Sequence, residues 1–299
     1  MLKIAFDKSY VAKLPENHRF PMLKYELIPE QLLHVGAISE SNLFQPTKAE
    51  ESIVLSIHDS SYFDQLKNQT LSKSEVRRLG LPLTQEMFER ECRIVEGTIK
   101  NAEYALKHGL SFNIAGGTHH SYSDRGEGFC LLNDIAVASK YLLNKDFYSI
   151  LIVDLDVHQG NGTASIFQNE GRVFTFSMHG EKNYPLHKEK SDLDIELPDG
   201  TDDNFYLNIL DYNLKKLIDH LNPQFVFYQS GVDPLDSDKL GRLSLSMEGL
   251  KRRDDLVFDI CKENDIPVAV SMGGGYSPNI KTIVDAHCNT FISGIERYF

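Results

Sequence analysis

The chain has 299 residues, 41% of them hydrophobic, which excludes a disordered or fibrous protein and allows a sizeable buried core. Lys and Arg number 31 against 43 Asp and Glu, a net charge of −12, so the surface repels phosphate backbones, argues against nucleic-acid binding, and tolerates or attracts cationic substrates. No apolar run approaches the roughly 18 to 20 residues that span a bilayer, the charged start Met1–Asp7 is unlike a signal peptide, and Cys92, Cys130, Cys261 and Cys288 form no C-x-x-C pair, so a cytoplasmic protein with free thiols and no membrane partner is expected.

Short apolar runs alternate with longer amphipathic stretches. In chain order the pattern predicts a strand at Ile4–Phe6, helices over Pro21–Val35 and Thr84–His108, a strand at Phe112–Ala115 and a helix over Asn133–Leu143. Strands at Ile150–Asp154 and Val173–Met178 follow, then a helix over Asp202–His220, a strand at Phe225–Gln229, a helix over Met247–Asn264, a strand at Val268–Met272 and a helix over Pro278–Glu296. Near-continuous apolar strands suit a parallel sheet buried on both faces, and their alternation with helices implies an α/β fold. No linker, repeat or low-complexity segment divides the chain, so residues 1–299 read as one domain.

In such sheets ligands bind beyond the carboxyl ends of the strands, which directs attention to the polar residues just after each one. Asp156-Val157-His158 follows one strand; residues two apart in an extended segment point the same way, so both side chains can reach one cation. Asp233, after the strand at Phe225–Gln229, can supply a third ligand. One imidazole and two carboxylates leave an open position, as in a catalytic rather than a structural zinc site. By spacing alone, Asp-x-His is equally an N-cap or loop ion pair, and Asp233 a turn residue before Pro234. Asp154, two residues before Asp156, can orient a ligand or a histidine, or bond to backbone amides at the strand end. His119-His120 behind Gly116-Gly117-Thr118 offers imidazoles for general acid–base work, or is ordinary polar loop. Gly273-Gly274-Gly275-Tyr276 forms either a flexible or a tightly turned loop carrying a tyrosine able to stabilise an oxyanion. A phosphate cradle is disfavoured there, since no Lys-Ser/Thr follows and no G-x-G-x-x-G follows the first strand.

Taken together, G-T-H-H-S (117–121), G-E-G-F-C-L-L-N-D (126–134), D-L-D-V-H-Q-G-N-G-T (154–163), F-S-M-H (176–179), G-V-D-P-L-D-S-D-K-L-G (231–241) and G-G-G-Y (273–276) resemble, in family order, the histone deacetylase family with its bacterial acetoin-utilisation and acetylpolyamine deacetylase relatives. The resemblance covers about residues 15 to 290. It implies the arginase/deacetylase fold, a three-layer α/β/α domain around a mainly parallel sheet, and hydrolysis of an acylated lysine or similar amine. It implies zinc, or alternatively iron, on Asp156, His158 and Asp233, with His119 and His120 as the catalytic pair and Tyr276 as the carbonyl-polarising hydroxyl. Asp154 is implied to back His119 and Asn161 to back His120. A structural potassium ion is implied at Asp154, Asp156, His158, Ser177 and Met178. Gly128, Phe129, Tyr184 and Leu240 are implied to line the substrate tunnel, and Arg19 to face the cavity below the metal.

The sequence also departs from the nuclear class I enzymes. Asn161 stands where they carry Asp, so His120 is expected to ionise at lower pH. Gln159-Gly160-Asn161-Gly162 and Arg78-Leu79-Gly80-Leu81-Pro82 look more like the class IV branch, and no equivalent of the class I substrate-gripping Asp occurs near Gly80. The stretch Glu181–Asp199 also differs from the usual tunnel-mouth loop. Acetylpolyamines and long-chain fatty acyl-lysine are the alternative substrates. A non-catalytic acyl-lysine-binding module is a weaker rival, because no catalytic residue type is missing. An arginase-like ureohydrolase is an equally weak rival, because Gly160 stands where a second bridging carboxylate is needed.

Overall fold

Eight strands, all parallel, make one sheet in this computed structural model, which describes residues 1–299. They are β1 (Ile4–Ala5), β2 (Leu43–Phe44), β3 (Leu110–Asn113), β4 (Ile150–Asp154), β5 (Val173–Gly180), β6 (Leu193–Leu197), β7 (Phe225–Gln229) and β8 (Val268–Ser271), in the order β2-β1-β3-β8-β7-β4-β5-β6. Every residue of β3, β4, β7 and β8 is buried, the environment the near-continuous apolar runs of β4, β7 and β8 require, while β3 reads Leu-Ser-Phe-Asn. β4 and β7 have the expected bounds; β1, β5 and β8 shift by one or two residues at one end, and β3 lies two residues earlier at both ends. β2 and β6 were not expected. β6 reads Leu-Asp-Ile-Glu-Leu on the sheet edge, an alternating pattern with one wet face rather than the continuous run of a central strand.

The helices are α1 (Lys24–His34), α2 (Glu51–Val54), α3 (Ser60–Lys67), α4 (Lys73–Leu79), α5 (Gln85–His108), α6 (Asp134–Leu143), α7 (Asn161–Phe167), α8 (Asp203–Leu221), α9 (Met247–Glu263) and α10 (Ile280–Tyr298). Five of the six long ones start where a side chain can satisfy a free amide: Thr84, Asn133, Asp202, Ser246 and Asn279 each accept from a backbone N–H two or three residues into their helix, whereas α1 follows Leu23 without a side-chain cap. α2, α3, α4 and α7 span eight residues or fewer, too short to show an amphipathic period, and were not expected.

The layering follows from the strand period of two. Asn113 Nδ2 donates to Ile94 O and Thr98 Oγ1 on α5 (3.1 and 3.0 Å). On the other face, Gly294 of α10 lies against Leu110 and Phe112, and its missing side chain permits that approach. Alternate β3 residues therefore face α5 and α10, so helices cover both faces and the domain is α/β/α. No helix is long and apolar enough to cross a membrane. Strands β3, β8, β7 and β4 are direct neighbours, and this adjacency brings residues 116–120, 273–276, 230–233 and 154–158 to one rim.

Candidate active site

Asp156 and His158 follow β4 and Asp233 follows β7, its direct neighbour. All three are buried, and their ligand atoms lie within 4.8 Å of one another. His158 Nδ1 is 3.0 Å from Asp156 Oδ1 and 3.1 Å from Asp233 Oδ2. Backbone amides fix the other oxygens: Gly274 N donates to Asp156 Oδ2 (2.7 Å) and Val157 N to Asp233 Oδ1 (2.9 Å). Burial and the neighbouring Asp156 charge push the Asp233 carboxyl up to about 7, so two ionised carboxylates here call for a cation. One nitrogen and two oxygen donors fit a borderline divalent ion with open positions. A side chain on Gly274 would run into Asp233 Oδ2, so close approach requires glycine there. The glycine loop is thus tightly packed, and Tyr276 N is tied to Asp238 Oδ2 at 2.6 Å.

His119 Nδ1 pairs with Asp154 Oδ2 at 2.7 Å and His120 Nδ1 with Asn161 Oδ1 at 2.6 Å, the two rings lying 4.1 Å apart. Asn161 Nδ2 donates to Glu127 Oε1 (2.7 Å) and to Tyr122 Oη (2.9 Å), which fixes the amide with its oxygen toward His120. His120 must then carry its proton on Nδ1, leaving Nε2 as a base. Burial opposes the charged form of His119, but Asp154 and Asp156 outweigh it and raise its pKa. Burial holds the pKa of His120 well below the usual imidazole range, and the His119 and His158 charges add to this. Burial is the main cause of this lowering, and the Asn161 bond works against it. Glu127 and Tyr122 were not expected.

Arg19, Gly128, Phe129, Tyr184 and Leu240 line one cavity of about 300 Å³ together with His120, His158 and Tyr276. The Tyr184 ring stands perpendicular to His120 at 4.9 Å, and its hydroxyl donates to Glu127 Oε1 (2.6 Å). Phe129 and Tyr276 lie 6.0 Å apart, and Tyr276 is 6.3 Å from the His158 ring. Arg78, Lys182, Asn183 and Arg242 complete the lining and were missed. A second, inner cavity of about 40 Å³ runs past Asp156, His158, Gly273 and Gly274 to Phe20, Tyr25, Arg90 and Ile94. The expectation that Arg19 faces this inner space is corrected. Arg19 is exposed at the mouth with its guanidinium 5.0 Å over the Phe129 ring, and Arg90 of α5 is the arginine inside. Lys24, fully buried in the first turn of α1, donates to Gly273 O (2.9 Å). Asp154 and Ser177 are register partners on β4 and β5, Met178 follows, and the Ser177 hydroxyl is bonded to His179 Nδ1 (2.9 Å).

An α/β/α sheet whose neighbouring strand ends gather one histidine, two carboxylates and a backed histidine pair defines a narrow class of protein. The histone deacetylase domain matches residues 18–291. An uncharacterized protein of Picosynechococcus is 44% identical over 285 residues, 95% of either chain. Histone deacetylase 2 of Arabidopsis thaliana is 30% identical over 290 residues, 94% of this chain and 75% of its own length. The crystal structure of a histone deacetylase homologue from Aquifex aeolicus superposes with a TM-score of 0.85 at 26% identity, covering 98% of this chain and 84% of that one. The chain belongs to the histone deacetylase family, and its fold is that of the family's solved members.

Proposed function

We propose that the protein hydrolyses the amide of an acylated lysine or similar acylated amine to the free amine and a short carboxylic acid. The observation that carries this reading is the convergence of the Asp156–His158–Asp233 cluster with the backed His119–His120 pair and Tyr276, where His120, His158 and Tyr276 line both the 300 Å³ cavity and the inner one. A divalent cation on Asp156, His158 and Asp233, zinc by preference and iron as the alternative, supplies Lewis acidity to a water and to the acyl carbonyl. His120, its Nδ1 proton committed to Asn161, takes the water proton on Nε2 and returns it to the leaving amine. His119, held protonated by Asp154, stabilises negative charge beside it. Tyr276 donates a hydrogen bond to the developing oxyanion. Phe129 and Tyr184 flank the alkyl chain and exclude water, and a potassium ion beside Asp154, Asp156, His158, Ser177 and Met178 would brace the β4–β5 rim.

The inner cavity bounds the acyl group. At about 40 Å³ it holds an acetyl-sized fragment and no fatty chain, which favours short acyl substrates over long ones. The test is turnover of a neutral, fluorogenic acetyl-lysine substrate by chelator-stripped and re-metallated protein, with metal content measured. Stripped protein should be inert and zinc or iron should restore it; Asp233→Ala should lose metal and activity together. Full metal occupancy in Asp233→Ala, or no turnover of any acylated amine by metal-loaded protein, overturns the assignment.

A further inference from the structure

The rim of the 300 Å³ cavity carries four permanent cations, Arg19, Arg78, Lys182 and Arg242, and no carboxylate lines it. This is the opposite of the chain as a whole, whose net charge is −12. The four come from separate segments: the bend before α1, the end of α4, the loop after β5 and the loop after β7. All are exposed. Lys182 and Arg242 share a single acid, Asp199, at 3.6 and 3.4 Å. Arg19 and Arg78 have no carboxylate within 4.0 Å, and Arg19 lies instead over Phe129, the wall of the cavity. Arg78 is tied to the same wall, since Gly128 N donates to its carbonyl (3.3 Å). Beneath the rim, Glu127 is buried, and its Oε1 already accepts from Asn161 and Tyr184.

Like charges around a low-dielectric cleft focus their field into it, over the roughly 8 to 10 Å that salt leaves unscreened. A second ammonium beside the acylated one, as in an acylated polyamine or a Lys/Arg-rich peptide, meets four cations of which two are paired, through one acid, within 4.0 Å. A carboxylate there meets unpaired guanidiniums suited to bidentate recognition. We infer that the rim Arg19, Arg78, Lys182 and Arg242 selects acylated amines that carry a carboxylate near the scissile amide. Two sources share that chemistry: an acyl-lysine flanked by Asp or Glu in a peptide, and the α-carboxylate of a free Nε-acyl amino acid. The inference rests on the deacylase reading above and runs against the expectation, drawn from net charge, that cationic substrates are tolerated or attracted.

The experiment compares kcat/KM of the metal-loaded enzyme for one acetyl-lysine peptide with neutral, acidic or basic flanks. Free Nε-acetyl-lysine, its α-amide and acetylputrescine complete the set. The acidic peptide should exceed the basic one at least tenfold, mainly through KM, with the difference collapsing in high salt. Arg19→Glu/Arg78→Glu should reverse the order. A preference for free Nε-acetyl-lysine over its amide that exceeds the acidic-peptide effect assigns the carboxylate to the amino acid itself; the converse assigns it to the flanks. Equal or better turnover of the basic peptide and acetylputrescine, or an order unmoved by the charge reversal, overturns the inference while the neutral peptide still reports deacylation. If the neutral peptide is not hydrolysed, the deacylase reading fails, and fluorescence anisotropy of the same labelled peptides decides the rim by binding alone.

Discussion

Replacing Asn161 by aspartate tests how His120 is held. The Asn161 amide gives Oδ1 to His120 Nδ1 (2.6 Å) and Nδ2 to Glu127 Oε1 (2.7 Å). Aspartate would set a carboxylate oxygen 2.7 Å from another. At an effective dielectric near 20, two charges that close repel by about 6 kcal/mol. Protonating one carboxyl at pH 7, against an ordinary pKa near 4, costs about 4 kcal/mol, so protonation wins. Asn161→Asp should therefore bind an extra proton and lose about 4 kcal/mol of stability at pH 7. A carboxyl raised in the folded state holds more protons folded than unfolded between about pH 4 and 7, so the loss grows as pH rises through that window and vanishes as it falls. The double variant Asn161→Asp/Glu127→Gln restores an amide–carboxylate bond with the roles exchanged. It also places the charge beside His120, which should shift the acidic limb of kcat upward. Urea unfolding at pH 5 and 7 reads the first effect and the pH profile of kcat the second. A single variant as stable as wild type at pH 7 would refute the role given to Glu127.

Tyr276→Phe should lower kcat by roughly 10² to 10³ with KM little changed and metal retained, as loss of one oxyanion donor does; a near wild-type kcat at full metal occupancy would assign the oxyanion to another donor. His120→Ala should lower kcat by roughly 10² to 10⁴ and by more than His119→Ala, and the reverse ranking would exchange their roles. Lys24 has its pKa lowered by burial from 10.5 to about 8, so the unfolded chain binds more protons between those values and wild-type stability should rise with pH across them relative to Lys24→Met. At about 1.4 kcal/mol per pH unit the gain is about 3 kcal/mol, measured as the difference between two denaturation series; parallel curves would show that Lys24 is not buried as a cation.

The placement of Asp156, His158, Asp233, His119, His120 and Tyr276 was legible because each lies a few residues beyond an unbroken apolar run, and a parallel sheet sends such ends to one rim. Which strands are neighbours was not legible. Within the order β3-β8-β7-β4, the β3–β8 pairing joins residues more than a hundred positions apart and sets Gly117 against Gly273, and no local pattern encodes it. The three glycines allowed a mobile or a tight loop; only the closeness of Gly274 to Asp233 decides for the tight one. Glu127 and Tyr122 act through Asn161 from a loop without periodicity, so nothing marked them. The rim cations were hidden for a different reason. Arg78, Lys182 and Arg242 each looked like one more solvated charge in its own segment, Arg19 was expected at the inner cavity, and the summed charge of the chain pointed the other way.

Rigidity reaches the site from beneath, by a device that composition also conceals. Arg253 of α9, fully buried, donates to the carbonyls of Leu155 (3.2 Å) and Gly231 (2.6 Å), just ahead of Asp156 and Asp233. Asp254 Oδ1 accepts from Arg253 Nε and Nη2 (2.9 and 2.7 Å) and from Tyr228 Oη of β7 (2.5 Å), and its Oδ2 from Thr290 of α10 (2.6 Å). Desolvating such a pair offsets most of its attraction, so its contribution to net stability is small. Its effect is geometric. One guanidinium, locked by a carboxylate that two further elements hold, fixes the spacing of the two strand ends that carry Asp156, His158 and Asp233. A misplacement of about 1 Å at a reacting centre can cost about 10² in rate, so the adjacent Arg253-Asp254 pair on a helix away from the cavity bears on catalysis as directly as the wall residues do.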